Sequence, residues 1–68
     1  MLRLRVKEVA QAKGYSMAKL QRQADIDLKT LRQLWHQPFH NADFNTLNKI
    51  AKVLKVPATD LLEDVEED

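Results

Sequence analysis

The chain has 68 residues, no Cys and a formal net charge of +1. That length bounds one small domain with little interior, and the missing Cys excludes disulfide staples and thiolate metal sites. No apolar run nears the roughly 20 residues of a bilayer span, and the charges threaded through the first residues exclude a secretory signal, so a soluble, cytoplasmic protein without membrane contact is expected.

The small net charge conceals an asymmetry. Residues 1–55 hold all eleven Lys and Arg against four acids (Glu8, Asp25, Asp27, Asp43), a balance of +7. Residues 56–68 hold six acids and no base, a balance of −6. A basic body is the electrostatic footprint of a nucleic-acid binder, although an unevenly charged solvated surface gives the same count.

In chain order, Leu2-Arg3-Leu4-Arg5-Val6 alternates apolar and basic residues with period two. It reads as an early helical turn, with a short N-terminal strand as the alternative; a lone strand needs a partner. A first helix is expected over Arg5–Lys13, with Val6, Val9 and Ala10 at helical spacing and Gly14 supplying a left-handed exit. Ser16 suits the N-cap of a second helix, Met17–Ala24, whose Leu20 and Ala24 face inward. Asp25-Ile26 makes a tight connection, and Asp27 caps a third helix from Leu28 to about His36. Gln37–Ala42 is a loop broken by Pro38. Asp43 caps a fourth helix, Phe44–Leu54, with Leu47, Ile50, Ala51 and Leu54 on one stripe. Pro57 is placed to open a short fifth helix ending near Leu62, because a first-turn position needs no N–H. The expected fold is all-α, five short helices over residues 1–62, followed by an acidic tail at 63–68.

Two helices joined by a tight turn, with Leu20, Ala24, Ile26, Leu31 and Leu34 inward, leave the second of the pair projecting from the body, free to enter a major groove. At 100° per residue Leu28, Lys29, Arg32 and Gln33 fall on one side of that helix, and Leu31, Leu34 and Trp35 on the other. Arg and Lys reach guanine O6 and N7, Gln pairs with adenine N6 and N7, and Leu28 suits either a thymine methyl or the core edge. The bland reading of the three polar residues is an ordinary exposed helix face.

The segments "KGYSMAKLQRQADIDLKTLRQLW" and "DFNTLNKIAKVLKVPATDLL" resemble the XRE family of Cro and phage-repressor proteins, over about residues 5–62. The resemblance implies a compact five-helix, lambda-repressor-like helix-turn-helix domain that regulates transcription and reads bases through Leu28, Lys29, Arg32 and Gln33. The chain departs from the family pattern at five places. Met17 stands for a phosphate-touching Gln, Gln21 for Ala and Asp25 for Gly. Ala10 and Trp35 stand where many members pair Arg with Glu, so an apolar contact is expected there in place of an ion pair.

Phosphate contacts are expected from the backbone N–H groups of Ser16 and Met17 at a helix N-terminus, with Arg22, His36, Gln37, His40 and Asn41 as further candidates. Asp27 is read as a cap rather than a cytosine contact. Tyr15, Trp35, Phe39 and Phe44 are read as lids on the core rather than stacking platforms for single strands. His36 and His40 flank Pro38 and have no third His or Cys, so no metal is expected. No nucleophile–base set or Gly-rich phosphate loop points to an enzyme or a cofactor. The expected partner is double-stranded DNA, bound by a homodimer on two half-sites. The rival reading is an antitoxin-like protein-interaction module that keeps the fold and uses its surface for a protein partner.

Overall fold

The computed structural model describes residues 1–66. The elements run β1 (Leu2–Leu4), α1 (Val6–Ala12), α2 (Met17–Ala24), α3 (Leu28–His36), α4 (Phe44–Leu54), one 3-10 turn (Ala58–Leu61) and β2 (Leu62–Asp64). Four α-helices enclose the core, and a two-stranded antiparallel sheet closes its side.

The helices start where their caps dictate. Ser16 Oγ accepts the Lys19 N–H at 3.1 Å, Asp27 Oδ2 accepts that of Thr30 at 3.2 Å, and Asp43 Oδ1 accepts that of Thr46 at 2.9 Å. Each bond satisfies a first-turn donor that has no intrahelical partner. Three helices end in left-handed backbone. Gly14 (φ 81°) follows α1, and Asp25 (φ 54°) and Lys55 (φ 58°) end α2 and α4. Of these, the Lys55 exit was not expected.

The inward stripes meet as the spacing predicts. Val6, Ala10, Leu20, Leu31 and Ile50 are fully buried, and Ala24, Ile26, Leu34, Leu47 and Leu54 nearly so. Ala10 is closed inside while Trp35 packs on the core edge, and α1 lies against α3. Neither position carries a charge, so the α1–α3 contact gives up no ion pair there, and ions are expensive to bury.

Two expectations are corrected. The fifth helix is a single 3-10 turn. Pro57 stands before it in extended backbone (ψ 144°), and Leu62 is extended behind it (ψ 147°). Leu61 is fully buried, and the chain then pairs with β1 instead of continuing the turn. The alternative reading of the N-terminus is the observed one. Leu2–Leu4 is a strand whose partner comes from the far end of the chain, in the register Leu2↔Asp64, Arg3↔Glu63 and Leu4↔Leu62. The Leu4 N–H donates to Pro38 O and the Arg5 N–H to Leu61 O, fixing the strand to the α3–α4 loop and the 3-10 turn.

The acidic segment expected from Glu63 enters this fold, since Glu63 and Asp64 are β2 residues. Its last two residues, Glu67 and Asp68, lie outside the described residues.

Candidate nucleic-acid interface

The α2–α3 connection sets the direction of α3. Asp25 in the left-handed region turns the chain, and its N–H donates to Gln21 O. Ile26 is buried (7% exposed), which anchors the turn in the core. Gln21 Nε2 donates to Ile26 O at 2.9 Å. This bond spans the turn from the end of one helix to the start of the next. Sequence reading marked Gln21 only as a departure from Ala; the structure gives it a clamping role. The available signal was a long polar side chain five residues before a turn carbonyl that lacks a helical donor.

α3 then presents two unlike faces. Leu31 and Leu34 are buried at 0% and 2% exposure. Leu28, Lys29 and Arg32 are exposed and Gln33 is half-buried. Leu28, 42% exposed, lies on the outer face rather than at the core edge. His36, one turn beyond Arg32, continues the outer stripe at the helix end.

The expected phosphate contacts divide. At the start of α2 the Ser16 hydroxyl is occupied by its cap, while Met17 packs half-buried against the core. That leaves the backbone N–H groups at the start of α2 for an anion. Arg22 is exposed in the last turn of α2. In the α3–α4 loop, His36 lines a depression with Arg3, Lys7 and Glu8, whereas His40 and Asn41 line a separate one with Leu2, Phe39 and Phe44. Gln37 is exposed at the C-cap of α3. The structure therefore gathers the α3 residues on one face and splits the loop candidates between two places. Lys7, beside His36, is an exposed cation that sequence reading did not single out.

Not every cation of the basic body is open to a polyanion. Arg3 pairs with Glu8 and, at 3.0 Å, with Glu63. Arg5 lies 3.5 Å from Glu8 and 3.7 Å from Glu63. The hydrogen bond from Arg3 holds the Glu8 carboxyl below its ordinary pKa, with Arg5 adding to the effect, and Glu8 in turn raises that of Arg3. Lys19 stands 4.6 Å from the centre of the Tyr15 ring. The strand register, which sets Arg3 opposite Glu63, is what joins the two ends of the charge pattern.

The aromatic residues behave as two classes. Tyr15 and Trp35 pack against the core as expected of lids. Phe39 (56% exposed) and Phe44 (83%) do not, which corrects the expectation for both. Phe44 is the first residue of α4, ahead of the inward stripe, and Phe39 sits in the turn after Pro38, so neither position points inward.

No helix among the described residues is long and apolar enough to cross a membrane. A search of curated proteins found no match to the chain. A family model described as the Cro/C1-type HTH DNA-binding domain matches residues 5–67. With its capped helix pair, left-handed turn and outward-facing α3, the chain belongs to the Cro/C1-type helix-turn-helix DNA-binding domain family.

Proposed function

We propose that this protein is a sequence-specific transcriptional regulator of the cytoplasm that places α3 in the major groove of DNA. The observation that carries the reading is the division of α3. Leu31 and Leu34 fix the helix in the body, and Leu28, Lys29, Arg32 and Gln33 are left on its outer side. Arg32 and Lys29 suit guanine, Gln33 suits adenine, and the exposed Leu28 suits a thymine methyl. The α2 N-terminus, Arg22 and Gln37 hold the backbone and set register without reading sequence. One short helix reads few base pairs, so a homodimer on two half-sites one helical turn apart completes the proposal.

Selection from a random duplex library with the purified protein tests it. A recovered motif with two related halves is expected. Failure to enrich any sequence at low salt refutes DNA reading and favours the protein-interaction module.

A further inference from the structure

Along α4 and the chain that follows it runs an open groove of about 590 Å³. Lys49, Lys52 and Lys55 line it, and all three are exposed. No acid lines it. Asp43 and Asp60 flank it in sequence. Asp43 caps α4 and attracts Lys49, but Lys52 and Lys55 have no acid within ion-pair distance among the described residues. Nor are their ammonium groups used in closing the helix. The carbonyls at the end of α4 are taken by backbone N–H groups, Lys52 O by that of Lys55 and Ala51 O by that of Val56.

The rest of the lining is of two kinds. Ala51 is buried, Val56 and Ala58 pack half-buried against the core, and Pro57 stands exposed beside them, which gives the groove an apolar floor. Asn45 and Asn48, both exposed, add two side-chain amides, each with a donor and an acceptor to offer. Each part of this surface selects its occupant. Free ammonium groups call for an anion, and carboxylates and phosphates share that property. An apolar floor gains only when apolar groups leave the water with it. Amides suit a peptide main chain, which offers N–H and C=O alike, whereas a phosphodiester only accepts. The groove is also carried by a helix packed on α1, α2 and the 3-10 turn, while α3 packs on α1 and α2. From Asn45 to Lys55 α4 rises about 15 Å, a length that about four or five residues of extended chain would cover.

We propose that the groove along α4 is a docking site for an acidic segment of a partner protein, in which carboxylates alternate with apolar side chains. The carboxylates meet Lys49, Lys52 and Lys55, and the apolar side chains lie on Ala51, Val56 and Ala58. The site is separate from the face of α3 and stands whether or not α3 reads DNA.

Fluorescence anisotropy of the full chain with a short labelled peptide of alternating Asp and Leu tests the proposal. The wild type should bind it saturably at low salt and more weakly as salt is added, and the same peptide with Asn for Asp should not bind. The double variant Lys52→Gln, Lys55→Gln should raise the dissociation constant about tenfold. Asn48→Asp, which sets a carboxylate in the groove, should also raise it and serves should the double variant misfold. Lys29→Gln, on α3, should bind the peptide like the wild type. Amide shifts of the wild type on titration should cluster from Asn45 to Ala58. Absence of saturable binding overturns the proposal. So do shifts centred on α3, or a loss for Lys29→Gln equal to that of the double variant, since the peptide would then be acting as a polyanion on the DNA face. A random-sequence duplex is the last arm. If the double variant weakens duplex binding as strongly as peptide binding, the groove belongs to DNA and the proposal fails.

Discussion

Replacing Asp25 with Gly tests the turn on which the direction of α3 depends. Asp25 sits at φ 54°, ψ 54°, where a side chain with a Cβ is strained by about 1–2 kcal/mol, Asp being at the lower end. Its carboxylate makes no hydrogen bond or ion pair among the described residues, so the substitution removes no contact of that side chain. The opposing effect lies in the unfolded chain, where Gly gains freedom equivalent to about 0.4–1 kcal/mol. The net gain is therefore between zero and about 1 kcal/mol, which for a domain of this size raises the melting temperature by at most about 4–8 °C. Thermal unfolding followed by circular dichroism resolves it. Asp25→Ala separates the two causes, since it removes the charge and keeps the Cβ. Both variants should bind a duplex more tightly at low salt, because each removes a negative charge beside α3, but only the Gly variant should gain stability. A clear fall in melting temperature for Asp25→Gly, or an equal rise for Asp25→Ala, refutes the argument from backbone strain.

Lys55→Gly relieves the same strain at φ 58° but loses a cation at the C-terminus of α4, worth about 0.3–1 kcal/mol; its gain in melting temperature should be smaller than that of Asp25→Gly. Gln21→Ala removes the donor to Ile26 O and should cost about 1 kcal/mol in urea unfolding, slightly reduced by the better helix propensity of Ala; an unchanged midpoint would mean that the clamp is idle. In DNA titrations against salt, Arg22→Ala should lower the slope of log K on log salt by about 0.9 and weaken all sequences alike, whereas Arg5→Ala, already beside two carboxylates, should leave it unchanged. Arg32→Ala should cost about 1–3 kcal/mol at one base position only, and a uniform loss would exclude α3 as the reader. Glu8 and Asp43 both have folded pKa values below their ordinary 4.5 and 3.8, Glu8 through its hydrogen bond from Arg3 and Asp43 through hydrogen bonds from Thr46. The unfolded state thus binds protons first, so the stability these groups give is complete above about pH 4.5 and is lost as pH falls below it. Urea midpoints between pH 6 and pH 3 should show the fall, and Glu8→Gln should make it shallower.

The parts of the fold legible in the sequence are those set by near neighbours. Ser16, Asp27 and Asp43 announce three helix starts because capping acts across three residues, and the stripes of α2, α3 and α4 identify their own buried faces. The outer face of α3 follows by the same rotation. What was hidden is set by distant parts of the chain. Leu2–Leu4 becomes a strand only because Leu62–Asp64, sixty residues on, supplies its partner. That pairing also ends the 3-10 turn after Leu61. The Lys55 exit was hidden for another reason, since Gly is the usual residue there and Lys carries no sign of φ 58°. Aromatic identity misled at Phe39 and Phe44, because a large ring favours burial without showing which way its position points.

The same strand pairing changes how the charge asymmetry bears on DNA binding. Taken along the chain, a body of +7 and an end of −6 suggest a basic surface trailed by a free acidic arm. In the fold, Glu63 reaches Arg3 and Arg5, and Asp64 reaches the N-terminal amine. Two acids of the arm are thus consumed beside the sheet, together with two of the body's arginines. The cations of α2 and α3, Lys19, Arg22, Lys29 and Arg32, have no ion-pair partner among the described residues, and neither do Lys7, Lys13, Lys49, Lys52 and Lys55 elsewhere. The cations of the helices therefore stay open to a duplex, whereas those beside the sheet are held by carboxylates. This also decides how the acidic end should be tested. Truncation from Glu63 would remove β2 and unseat β1, so any change in DNA affinity would mix charge with unfolding. Glu66→Gln alters charge outside both strands. If the acidic end repels DNA, that single change should tighten binding at low salt and have no effect at high salt, where charges more than a Debye length apart are screened.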